Sequence, residues 1–134
     1  MSYTGSCLCG EVSFKLIGEP SRSFVCYCID CRKGSGHLGQ FISQYATDKV
    51  EIEDKNGNIA EYIVEKTKSG HPKRKQFCKG CGSTIRTLPM KFNGEVSMFR
   101  SSLVDENFAK LAPQAALFGD EKDRFTEGVK SEYC

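Results

Sequence analysis

Seven of the eight cysteines in this 134-residue chain fall into three short clusters, and their spacing restricts the fold more than any other feature. Cys7-Leu8-Cys9-Gly10 comes first. Cys26-Tyr27-Cys28-Ile29-Asp30-Cys31 follows, then Phe77-Cys78-Lys79-Gly80-Cys81-Gly82; Cys134 stands alone at the C-terminus. In extended chain, residues two apart point to the same face, so Cys7 and Cys9 can offer two sulfurs to one ion. Cys78 and Cys81 form a tight knuckle, in which Gly80 and Gly82 allow positive φ, so that backbone N–H groups can turn toward the thiolates. Two such pairs make a four-sulfur tetrahedron, the closed arrangement of structural zinc. The middle cluster has three thiolates and no fourth. Zinc with three protein ligands keeps an open position, as in catalytic sites. Three thiolates make a weak Lewis acid but a good carrier of a thiol. Spacing alone leaves another partition open, in which the middle and last clusters share one ion and Cys7 and Cys9 are ordinary residues.

Competing uses of the cysteines fit less well. The N-terminus, MSYTGSCLCGEV, lacks a basic region followed by an apolar stretch, which argues against export and for a reducing, cytoplasmic setting. Eight cysteines in 134 residues are fewer than the ~8–10% of small disulfide scaffolds. A Cys-x-x-Cys oxidoreductase expects a βαβ context, and none is visible. Ile, Leu, Val and Phe total only 30 residues, so the aliphatic core is thin and metal is expected to help hold it. The formal charge of +2 becomes slightly negative once seven thiolates hold two zinc ions, which removes a general attraction to nucleic acid. No apolar run approaches the ~18–20 residues of a membrane span.

Alternating patterns predict a mainly β, antiparallel fold with little helix, in one domain over residues 1–134. Val12, Phe14 and Leu16 mark a half-buried strand, and Val50 and Ile52 another. Asn56-Gly57 predicts a hairpin continuing through Ala60, Tyr62 and Val64. Asn93-Gly94 predicts a second hairpin, followed by Val96 and Met98 alternating with Ser97 and Phe99. Asp105 is placed to cap a short helix through Leu111, ended by Pro113, and the charged tail from about 119 is expected to be loosely held.

The motifs Gly5-x-Cys7-x-Cys9-Gly10-x-Val12, Cys26-x-Cys28-x-x-Cys31-Arg32-Lys33 and Phe77-Cys78-x-x-Cys81-Gly82 occur in an order, and with gaps, that resemble one family. It is the glutathione-dependent formaldehyde-activating enzyme and centromere-protein-V family, matched over roughly residues 3 to 118. The resemblance implies a β-tent of antiparallel sheets stapled by zinc. It implies one structural Zn2+ at Cys7, Cys9, Cys78 and Cys81, and one catalytic Zn2+ at Cys26, Cys28 and Cys31. It also implies a carbon–sulfur lyase resembling S-(hydroxymethyl)glutathione synthase, acting on a small thiol adduct. Three positions differ from the family pattern: Tyr27 stands where His is usual, Leu103-Val104-Asp105 replaces a Leu-Asp-Asp-like turn, and Ala116, Leu117, Phe118 and Phe125 occupy a region where His and Trp are common.

Other residues carry two readings each. Arg32 and Lys33 can attract an anionic substrate or offset thiolate charge. His37 is a fourth ligand or a surface residue, and Asp30 a proton acceptor or a turn residue. The basic run Lys66, Lys68, His71, Lys73, Arg74 and Lys75 is a solvated arm or, in the rival view of a non-catalytic zinc-stapled module, the contact to an acidic protein or nucleic acid. Cys134 reads as a free terminal thiol.

Overall fold

The computed structural model describes residues 1–122. Its strands are β1 (Ser2–Ser6), β2 (Ser13–Ile17), β3 (Arg22–Cys26), β4 (Gln40–Ala46), β5 (Val50–Glu53), β6 (Ile59–Val64), β7 (Lys73–Cys78), β8 (Thr84–Pro89), β9 (Val96–Arg100) and β10 (Ala115–Leu117). The α-helix α1 spans Ile29–Ser35, and short 3-10 turns link several strands. The strands form a three-stranded sheet in the order β1-β2-β5 and a seven-stranded sheet in the order β10-β3-β4-β9-β8-β7-β6. The fold is mainly β, as expected, and every pairing is antiparallel except β10 with β3. No described helix is long and apolar enough to cross a membrane.

The two sheets are joined by a core that follows strand alternation. Tyr3, Phe14 and Leu16 of the small sheet are buried in one cluster with Tyr45, Ile85 and Phe99 of the large one. The Phe14 and Phe99 rings sit 4.5 Å apart, tilted by 57°. Burying a large apolar side chain contributes ~1.5–3 kcal/mol, so these few residues carry much of the apolar stabilisation. Ser43 lies in the same layer, with its hydroxyl 2.8 Å from that of Ser23 and 2.7 Å from that of Ser101. This chain ties β3 and β4 to the turn after β9 while satisfying three buried polar groups.

Gly5 shows why the first motif begins with glycine. Its backbone bridges to Val104, and a Cβ there would run into the Leu103 carbonyl oxygen and crowd the Phe14 ring. The turn Leu103-Val104-Asp105 is thus pinned against β1, and the Asp105 N–H donates to the Thr4 carbonyl at 3.1 Å.

Several local expectations are corrected. Asn56-Gly57 does form a turn, with Gly57 at φ 63°, but it joins no hairpin. β5 pairs with β2 and β6 with β7, so the turn passes the chain from one sheet to the other. On β6, an edge strand, Tyr62 is exposed. Asn93-Gly94 does link antiparallel neighbours β8 and β9. There Ser97 and Phe99 take the fully buried face, while Val96 and Met98 are half-buried. Asp105 caps nothing; the following turn is a 3-10 helix at Phe108–Leu111 that begins after Asn107. Gly82 has φ 80°, but Gly80 does not adopt positive φ. The tail's final residues, with Phe125 and Cys134, lie outside the described residues.

Candidate metal centres

The described cysteines are all free thiols, and they gather into two groups. Cys7, Cys9, Cys78 and Cys81 place four sulfurs within 4.8 Å of one another; Cys26, Cys28 and Cys31 place three. The alternative partition, with the middle and last clusters sharing an ion, is not what the fold builds.

The four-sulfur group is made from two similar loops. In the first, the Cys7 N–H donates to the Val12 carbonyl at 2.9 Å; in the second, the Cys78 N–H donates to the Ser83 carbonyl, also at 2.9 Å. Each loop ends on a glycine at φ 80°, Gly10 and Gly82. The Leu8 N–H donates to the Ser83 hydroxyl at 3.2 Å and links the loops directly. Cys7 and Cys9 sulfurs are 3.6 Å apart, and Cys9 and Cys78 sulfurs 3.7 Å. A disulfide needs about 2.05 Å. Tetrahedral zinc with Zn–S near 2.3 Å needs sulfurs roughly 3.8 Å apart, which this set meets. The Val12 N–H points at the Cys7 sulfur at 3.4 Å. Hydrogen bonding to the Ser83 side chain, and to the Ser83 and Cys9 backbone, holds the Cys81 thiol down to about 5. Four sulfurs at this spacing are suited to a divalent ion.

The three-sulfur group sits elsewhere, on the large sheet's other face. Cys26 ends β3, buried with Phe24 and Ile42, with Met98 and Leu117 packed alongside. Cys28 precedes α1, and its sulfur accepts from the Cys31 N–H at 3.4 Å. Cys31 lies in the helix's first turn. Cys28 and Cys31 are half-buried, so this group is closer to solvent on one side than on the sheet side. Hydrogen bonds from Cys26 and Cys31 hold the Cys28 thiol well below the usual range, while those same contacts push Cys31 up. Three sulfurs of this kind fit zinc with a position left for a guest.

Two lysines of the basic run lie against the helix that carries Cys31, and others are paired elsewhere. The Lys73 ammonium is 3.2 Å from an Asp30 carboxylate oxygen, which ties β7 to α1. Lys75, two residues on and on the same face, lies against the backbone of Gly34 in α1. Arg74, on the opposite face, pairs with Glu61 at 2.9 Å and holds that carboxyl below its usual range. Lys68 pairs with Glu121 at 2.6 Å and stacks over Phe118. Four of the six basic residues are thus tied into the fold, while Lys66 and His71 are exposed. Arg32 and Lys33 are exposed on α1. His37 is exposed and belongs to neither sulfur group. It lines an apolar hollow of about 510 Å³ with Tyr27, Phe41 and Phe108 instead. Leu117 pairs with Cys26 across β10 and β3, which puts the divergent Ala116–Phe118 region beside the trio.

Arg100 is the residue that sequence reasoning passed over. It ends β9, is 6% exposed, and shares its sheet face with Cys26. Its guanidinium donates to the Met98 carbonyl at 2.8 Å and the Thr87 hydroxyl at 2.7 Å. Burial lowers it to about 10, against the opposing pull of Cys31, Cys26 and Cys28. A Met-Phe-Arg strand end carries no signal of this; only the sheet register brings Arg100 under α1.

Comparison with known proteins accords with this geometry. A family model described as glutathione-dependent formaldehyde-activating enzyme matches residues 2–121. No curated protein sequence matches the chain significantly. Among solved structures, a Rhodobacter sphaeroides protein determined by the Northeast Structural Genomics effort is similar in fold, with TM-score 0.62 and 18% identity, over 87% of this chain and 99% of that one. The match over residues 2–121, with both cysteine groups inside it, shows that this chain belongs to the glutathione-dependent formaldehyde-activating enzyme family.

Proposed function

We propose that this chain is a zinc-dependent carbon–sulfur lyase, in which residues 1–134 form one domain working in the reducing cytoplasm. Cys7, Cys9, Cys78 and Cys81 hold a structural ion, and Cys26, Cys28 and Cys31 hold the catalytic one. The observation that carries the reading is the separation of a four-sulfur group, enough to complete a tetrahedral ion, from a three-sulfur group that leaves one position unfilled. When bound at the trio, zinc supplies a position that lowers a thiol's pKa and keeps its sulfur as thiolate. The substrate class is a small thiol and its hydroxymethyl adduct, glutathione being the family's named example. In the synthetic direction the sulfur lone pair forms the C–S bond to formaldehyde, the carbonyl π pair moves to oxygen, and that oxygen takes the proton the thiol gave up. Cleavage is the reverse. Lys75, set against α1, adds positive charge near the trio that favours an anionic sulfur.

The rival binding-module reading draws less support, because Lys68, Lys73 and Arg74 are already paired with Glu121, Asp30 and Glu61. The test is exchange of carbon-13 formaldehyde with glutathione and other small thiols, followed by NMR on zinc-loaded protein. Acceleration lost in Cys28→Ser supports the lyase. Exchange at the uncatalysed rate with every thiol rejects it.

A further inference from the structure

Arg100 presents a problem of charge that the four-sulfur group does not share. A buried guanidinium is costly unless an anion compensates it. Its two hydrogen-bond partners, the Met98 carbonyl and Thr87 hydroxyl, are neutral, and its Nε has no partner. No described carboxylate forms an ion pair with it. The sheet register puts Cys26 on the same face as Arg100, so the sulfurs of the trio, once they hold a divalent ion as thiolates, are the negative groups placed to balance it.

Lys75 repeats the pattern on β7, with β8 between it and β9. Lys73 has Asp30, but no described carboxylate pairs with Lys75. Its ammonium would lie 2.7 Å from a Cβ on Gly34, so it rests on α1 one turn past Cys31. Thr87 stands opposite Lys75 in the sheet and bonds Arg100, which places both cations in one patch under the helix.

We propose that Arg100 and Lys75 are the fixed countercharges of the three-sulfur centre and set its ligand preference. Three thiolates with a divalent ion leave one net negative charge, which Arg100 cancels from within the sheet. Lys75 then remains to cancel one more. A centre so balanced accepts an anionic fourth ligand, a thiolate, in preference to a neutral one. Arg100 and Lys75 act as positioning residues here, through the sulfurs, and the inference rests on the metal assignment proposed above.

The experiment loads the full chain with cobalt in place of zinc and reads the sulfur-to-cobalt absorption. Wild type is then titrated with 2-mercaptoethanol and, separately, with imidazole as a neutral ligand. Lys75→Met should keep both ions but bind the thiol at least about tenfold more weakly, with imidazole binding unchanged; Lys75→Arg should restore the thiol. Arg100→Met should weaken the second ion roughly 10–100-fold in chelator competition, with the four-sulfur ion untouched and Arg100→Lys recovering part of the loss. Thr87→Val removes a hydrogen bond without removing charge and should not change thiol binding by as much. Should Arg100→Met fail to fold, the Lys75 pair decides. Wild-type thiol affinity in Lys75→Met, or equal loss of thiol and imidazole, overturns the proposal while leaving the metal assignment standing. A wild-type chain that takes up one cobalt removes the assignment itself, and the countercharge role with it.

Discussion

Cys9 and Cys78 sulfurs lie 3.7 Å apart although 69 positions separate the two residues in the chain. Cys7 and Cys9 follow β1 of the small sheet, and Cys78 ends β7 of the large one. An ion held there ties the sheets together. Structural zinc contributes ~10–16 kcal/mol in small peptides, against ~5–15 kcal/mol for the whole stability of a typical domain. Cys78→Ser should therefore abolish cooperative unfolding at 25 °C, as should a strong chelator on wild type. Near-UV circular dichroism and a thermal melt check this. A Cys78→Ser protein melting within a few degrees of wild type would count against the clip.

Gly5 is predicted to be intolerant of any side chain. The Leu103 carbonyl and Phe14 ring occupy the space a Cβ would take, and one of those atoms belongs to backbone. Gly5→Ala should cost about 1–3 kcal/mol, the usual range for overpacking, read from urea midpoints. A neutral result would mean that the turn at residues 103–105 moves freely.

Ser43 is fully buried between Ser23 and Ser101. Ser43→Ala leaves two buried hydroxyls short of a partner, at about 1–3 kcal/mol. Replacing all three serines by alanine should cost less than the sum of the single changes, since no orphan remains. Equal costs would show that the three hydroxyls act independently.

Alkaline stability has a defined source. Burial, then the hydrogen bond to Glu19 at 2.7 Å and its charge, push the Tyr3 phenol up to about 12 from an ordinary value of 10. Burial, then the charges of Tyr3 and Glu19, raise Tyr45 as well. The folded state keeps a proton that the unfolded chain loses first. This contribution is complete below pH 10 and declines as pH rises from 10 toward 12. Urea midpoints should fall across that window, and the fall should be shallower in Tyr3→Phe. A Tyr3→Phe variant with the wild-type slope would assign the loss to other groups.

The sequence made some parts of this molecule readable and hid others for identifiable reasons. The cysteine clusters were legible because ligand pairs two or three residues apart meet through local geometry, and the repeated spacing implied a shared ion. Phe14 and Leu16 were legible because β2 buries one face only. Asn56-Gly57 misled because turn chemistry is local while strand pairing is not, and β5 and β6 each find a partner far away in sequence. Arg100 was hidden, and Lys75 was read only as one of a basic run, because a strand that passes beneath a helix buries side chains that any local pattern reads as surface. The sulfurs were found from their spacing, but the charges that balance them needed the sheet register.

The separation of one closed centre from one open centre is tested most directly by counting zinc and its sulfur ligands in wild type and Cys28→Ser. The account predicts two zinc ions in wild type, one with four sulfurs and one with three plus a lighter atom or a thiol. Cys28→Ser should stay folded and keep one four-sulfur ion. A wild-type protein holding a single ion, or a Cys28→Ser protein that unfolds as Cys78→Ser does, would contradict it.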